Sequence, residues 1–128
     1  MKFQPDTLAG VNVISRVDLA DGARVWVGAQ RFETALLVPW RGEVLDWGVS
    51  GFDALAEAHF ERIAQLAPEV VIFGSGARLR FARPALLRAL IERGIGVETM
   101  DTGAACRTYN VLVNEGRSVL AALLLERA

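Results

Sequence analysis

Two short segments carry residue types suited to holding an anion. Gly74-Ser75-Gly76 ends an apolar run, and Asp101-Thr102 ends the next strand-like segment. Successive backbone N–H groups of a glycine-rich loop form a concavity that accepts an anion. A helix N-terminus beginning at Asp101-Thr102 would add donors from the other side. Arg78 and Arg80 follow the loop and bring positive charge. Two enzymatic motifs fail on these same residues. A dinucleotide fingerprint needs a third glycine where this chain has Leu79, and a helix directly after the loop. A nucleophile elbow needs glycine two residues to either side of its serine, and Ser75 has neither. The structural alternative is a tight turn that uses glycine for positive φ, with Asp101 and Thr102 capping a helix.

The second candidate lies inside that helix, in the run Met100-Asp101-Thr102-Gly103-Ala104-Ala105-Cys106-Arg107-Thr108-Tyr109-Asn110-Val111-Leu112. At helical spacing Ala105, Tyr109, Leu112 and Val113 share one face, and Arg107, Asn110 and Asn114 share the opposite one. Asparagine is unfavourable in a helix body unless something uses its amide. Arg107, Asn110 and Asn114 are therefore candidate interaction residues. Either they order a neighbouring loop or they contact a partner; the expectation is structural for Asn110 and recognition for Arg107. Cys106 sits near the helix start, where a thiol pKa is lowered. No second Cys exists to resolve it, and its place at the edge of the apolar face reads as inert packing.

Other reactive types are sparse. His59 falls within an apolar stripe with no second metal ligand and no nucleophile beside it, so it reads as a core histidine held by one hydrogen bond. One Cys and one His build neither a disulfide nor a metal site, and no cofactor is expected. Of Trp26, Trp40 and Trp47, Trp40 stands beside a turn, where an exposed indole marks a protein interface.

Composition bounds the class. The chain has 128 residues, 52% apolar and 23% charged, which fits one ordinary globular domain over residues 1–128. A formal net charge of −1, with no basic block, argues against nucleic-acid binding. Met1-Lys2-Phe3-Gln4-Pro5-Asp6 shows neither a signal-peptide core nor a transit-peptide composition. No run reaches the roughly 20 apolar residues of a membrane span. A cytoplasmic location is expected.

The elements that must position these residues change character half-way. Residues 12–17, 23–28, 32–38 and 43–47 read as strands of an N-terminal antiparallel meander, with Asp21-Gly22 a hairpin signal and Val25 and Val27 facing away from Trp26. Residues 52–67 carry a helical stripe of Phe52, Leu55, Ala56, His59, Phe60, Ile63 and Leu66, capped by Ser50 or Asp53 and ended by Pro68. Then come a strand at 70–73, a helix at 84–93, a strand at 95–99, a helix at 102–115 and a strand at 118–125. That alternation predicts an α/β fold in three layers with a mixed central sheet, the strands at 70–73 and 95–99 being parallel.

Three motifs together resemble a known family. Ile72-Phe73-Gly74-Ser75-Gly76, Gly94-Ile95-Gly96-Val97-Glu98-Thr99-Met100-Asp101-Thr102, and Ala105-Cys106-Arg107-Thr108-Tyr109-Asn110-Val111-Leu112 with Glu115-Gly116-Arg117 are similar to those of the small α/β proteins that include mitochondrial respiratory complex I assembly factor three and its bacterial and archaeal relatives. The resemblance covers nearly the whole chain. It implies a three-layer α/β fold and a non-catalytic accessory role through a protein partner, linked to respiratory complex assembly; with no mitochondrial targeting segment, a bacterial member is expected. It supplies no catalytic residues. The alternative is a small-molecule or anion-binding protein, or an enzyme, with its site at Gly74, Ser75, Gly76, Asp101 and Thr102.

Overall fold

The computed structural model describes residues 10–20 and 22–126. In chain order the elements are β1 (Ile14–Asp18), β2 (Arg24–Val27), β3 (Gln30–Phe32), β4 (Leu36–Pro39), β5 (Leu45–Asp46), α1 (Glu57–Gln65), β6 (Val70–Gly74), α2 (Arg88–Glu92), β7 (Gly96–Met100), α3 (Thr102–Asn114) and β8 (Val119–Leu123). Single 3-10 turns at Phe52–Ala54 and Pro84–Leu87 lead into α1 and α2. Five strands form a mixed sheet in the order β5-β4-β8-β6-β7. β6 runs parallel to β7 on one side and to β8 on the other, with Val70 opposite both Gly96 and Val119. β4 closes the far side antiparallel to β8 and β5. The α/β architecture expected from sequence, including the parallel pair, is the one observed.

β6 and β8 are buried along their whole length, which is why they read as unbroken apolar runs. The two-residue period of a strand then sorts their side chains into two cores. Val71, Phe73 and Leu37 face Trp47, Phe60, Ile63 and Leu90, under α1 and α2. Val70, Ile72, Leu36 and Val38 face Ala105, Cys106, Tyr109 and Val113 of α3, together with Val25 and Val27 of β2. The layers are thus α1 and α2, the five-stranded sheet, and α3 with the β1–β3 sheet.

The meander, the first helix with its cap, and His59 depart from expectation. The meander does not run unbroken to residue 47. β1, β2 and β3 form their own antiparallel sheet, and the stretch 32–38 is divided between β3 and β4, which belong to different sheets. The cause is four consecutive buried residues, Ala35 to Val38, which only a strand covered on both faces accommodates. Gln30 and Arg31 are exposed and suit a one-sided sheet. The helix expected over 52–67 begins only at Glu57, because Leu55 and Ala56 are extended. Neither Ser50 nor Asp53 caps it; His59 Nδ1 accepts the Ala56 N–H at 2.9 Å. His59 is therefore a half-buried capping residue rather than a core one. Asp21 of the hairpin signal, and Met1 to Asp6, lie outside the described residues. Among the described residues, no helix is long and apolar enough to cross a membrane.

Candidate functional site

Parallel pairing of β6 with β7 and β8 brings Gly74, Ser75, Gly76, Asp101 and Thr102 to one sheet edge, the carboxyl edge. They form a closed hydrogen-bonded knot. The Ser75 N–H donates to Met100 O at 2.9 Å, and the Thr102 N–H to Gly76 O at 2.9 Å. The Gly76 N–H donates to Thr102 Oγ1 at 2.9 Å, and that hydroxyl donates to Leu124 O at 2.7 Å. Asp101 is the N-cap of α3, its carboxylate accepting the Ala104 N–H at 2.9 Å. The N–H groups of Ser75, Gly76 and Thr102, which an anion would need, are thus engaged within the chain. Ser75 and Thr102 are the two buried polar side chains of the described residues, and both have their hydrogen bonds made.

Ser75 has a second task. Its hydroxyl donates to Arg78 O at 2.8 Å and accepts the Arg80 N–H at 2.9 Å, so it folds the following loop around itself. Arg80 completes the fold-back. Its Nη2 donates to Ser75 O at 2.7 Å and pairs with the Glu126 carboxylate. Its guanidinium lies 4.5 Å over the Phe52 ring, and Glu126 Oε2 accepts the Phe52 N–H at 2.8 Å. Gly76, at φ +106°, sits beneath this ion pair. That φ strains any L side chain, and a Cβ there would lie 2.7 Å from Arg80 Nη2 and closer still to the Glu126 carboxylate, so a substitution would also push the ion pair aside.

This clamp holds the backbone from Arg78 to Arg80 in place, and two apolar side chains stand outside it. Leu79 is 52% exposed and Phe81 69% exposed. Arg78 and Arg83 flank them, also exposed. The alternation of arginine with leucine and phenylalanine across 78–81 was the available sequence signal, yet exposure cannot be read from it without the fold.

The three α3 residues part company. Asn110 turns inward and behaves as a surrogate strand partner for β1. Its Oδ1 accepts the Ile14 N–H at 3.0 Å, and its Nδ2 donates to Ile14 O at 2.8 Å. Arg107 and Asn114 remain exposed, so the face does not act as a unit. Cys106 is 1% exposed, and burial pushes its thiol up to about 12, overriding the lowering effect of Arg107.

The model of the family described as "Protein of unknown function (DUF498/DUF598)" matches residues 17–124. The chain belongs to this family. A Bordetella parapertussis protein of known crystal structure is 35% identical, with a TM-score of 0.84 over 92% of this chain and 98% of that one. A Mth938-like domain from Bordetella pertussis, solved in solution, is 31% identical with a TM-score of 0.81 over 99% of this chain and 94% of that one. Bovine "NADH dehydrogenase [ubiquinone] 1 alpha subcomplex assembly factor 3" is 38% identical over 99 residues, 76% of this chain and 53% of the bovine protein. The chain spans about half the length of the curated relatives it matches.

Proposed function

We propose that this DUF498/DUF598 member is a non-catalytic accessory protein that works by contact with other proteins, in the assembly of a respiratory NADH dehydrogenase. One observation carries the reading: a loop fixed by Ser75, Arg80 and Glu126 that presents Leu79 and Phe81 to solvent. Large apolar side chains on a rigid support bind with little loss of conformational freedom, and aromatic residues are favoured anchors at interfaces. The name of the bovine relative supplies the kind of assembly. The competing reading, an anion or substrate site at the carboxyl edge, draws no support from the knot, whose central donors already have acceptors.

The experiment is affinity capture from native lysate with the wild-type chain and with a Leu79→Ser, Phe81→Ser double variant. NADH dehydrogenase components are expected with the wild type and depleted with the variant. Both changes are at exposed positions, so folding stability is expected to stay within about 0.5 kcal/mol. Capture of the same components by both chains would remove the loop from the interface, and capture of none would overturn the assembly reading.

A further inference from the structure

A well-formed cleft lies away from the carboxyl edge. It lies at the opposite end of the sheet, beside the start of β8 and the end of β4, and has a volume of about 370 Å³. That size suits a small organic molecule. Leu66 and Pro68 form part of an apolar lining, with Trp40, Arg41, Glu43 and Ser118 supplying the polar and aromatic groups.

The wall of this cleft is built rigidly. The turn 39–42 is braced from behind by Asn12 and Tyr109. Asn12 donates its backbone N–H to Trp40 O at 2.8 Å, and its Nδ2 to Pro39 O at 2.7 Å and Gly42 O at 2.9 Å. Tyr109 OH lies 2.7 Å from Asn12 O and 3.2 Å from Pro39 O, fixing the brace to α3. These hydrogen bonds to its carbonyls hold the backbone of the turn that carries Trp40 and Arg41.

Those side chains define a recognition chemistry. The Arg41 guanidinium carbon stands 4.7 Å over the Trp40 ring. A stacked guanidinium uses its face and keeps its in-plane N–H fork free for a carboxylate. Arg41 forms no ion pair among the described residues, and the Ser118 hydroxyl makes no hydrogen bond there. Leu66, 43% exposed beside them, offers apolar surface for a ligand body. Glu43 on the same cleft is exposed and repels a doubly charged group.

We infer that this cleft is a binding site for a small apolar or aromatic monocarboxylate, whose carboxylate pairs with the Trp40-stacked Arg41 and whose body lies on Leu66 and Pro68. The site is separate from the Leu79–Phe81 loop, so either assignment can fail without the other.

Amide NMR titration tests it, with phenylacetate, phenylethanol and phenyl phosphate as probes. Phenylacetate is expected to give saturable shifts at Trp40, Arg41 and Ser118, including the Trp40 indole N–H. Phenylethanol should bind at least about tenfold more weakly, a loss equal to one charge-assisted contact. Arg41→Gln should bring phenylacetate down to the level of the alcohol, and Glu43→Gln should strengthen phenyl phosphate. The Leu79→Ser, Phe81→Ser variant should bind phenylacetate as the wild type does. Absence of saturation, shifts centred elsewhere, equal binding of the alcohol, or indifference to Arg41→Gln would each overturn the assignment.

Discussion

At the scale of single residues, Cys106 shows how burial outweighs local electrostatics. It lies in the second turn of α3, where a thiolate would be favoured, and Arg107 is next to it. Packing among Ala105, Tyr109 and Val113 removes the water that a thiolate needs. The thiol moves up from an ordinary value of 9.0 to about 12, and the buried Tyr109 hydroxyl is pushed up as well. Both folded groups hold their protons where the unfolded chain would release them. Their contribution to stability is complete below pH 9 and is lost as pH rises toward 12. The melting temperature is therefore expected to fall on the alkaline side, and less steeply for Cys106→Ala. Iodoacetamide should label the native protein far more slowly than the denatured one at neutral pH. Fast native labelling would contradict this account of the thiol.

At the scale of elements, the question is how a small three-stranded sheet is held on the rest. Val25 and Val27 supply apolar contact with the α3 side of the main sheet. Apolar contact alone permits sliding, and Asn110 fixes the register by taking both the N–H and the C=O of Ile14. Asn110→Ala removes both bonds and leaves a partly buried strand edge unsatisfied. The expected cost is on the order of 1–3 kcal/mol. Amide exchange should accelerate at Ile14 and its β2 neighbours before it does in β6. Arg107→Ala, on the exposed side of the same helix, should stay within about 0.5 kcal/mol of wild type. Equal, negligible effects from both substitutions in chemical denaturation would deny Asn110 this role.

At the scale of the whole molecule, two cores share one sheet. Trp47, Phe60 and Phe73 meet edge-to-face on one side, with centroid separations of 5.6 Å, 5.8 Å and 6.1 Å. Cys106 and Tyr109 pack on the other, and β6 and β8 contribute to both. Neither core can dissolve without exposing a strand that the other needs. Unfolding in urea should then be a single transition. The near-ultraviolet circular dichroism of the aromatic cluster and the onset of Cys106 labelling should share a midpoint. Labelling that begins at clearly lower urea would mean that the α3 layer opens on its own.

The sequence by itself determined the features that depend on short-range pattern. Unbroken apolar runs at Val70 to Phe73 and Val119 to Leu123 required strands covered on both faces. Helical periodicity with an Asp101 cap required α3 to start where it does, and Asn110 stood out because a helix interior does not favour it. Only the tertiary structure decided what those groups touch. Phe52 lies in a helical stripe, yet the Glu126 carboxylate on its N–H and the Arg80 guanidinium over its ring hold it in a separate turn. His59 shares the stripe and becomes a cap, since Leu55 and Ala56 are extended. The N–H donors of Ser75, Gly76 and Thr102 look available in a linear reading, because their acceptors come from β7 and from one another only once the strands are parallel. Arg41, Leu66 and Ser118 are far apart in sequence, and a cleft joins them only after β4 and β8 pair. Local periodicity is set by backbone geometry and is written in consecutive residues; exposure, hydrogen-bond occupancy and cleft formation depend on contacts between distant segments, which folding alone creates.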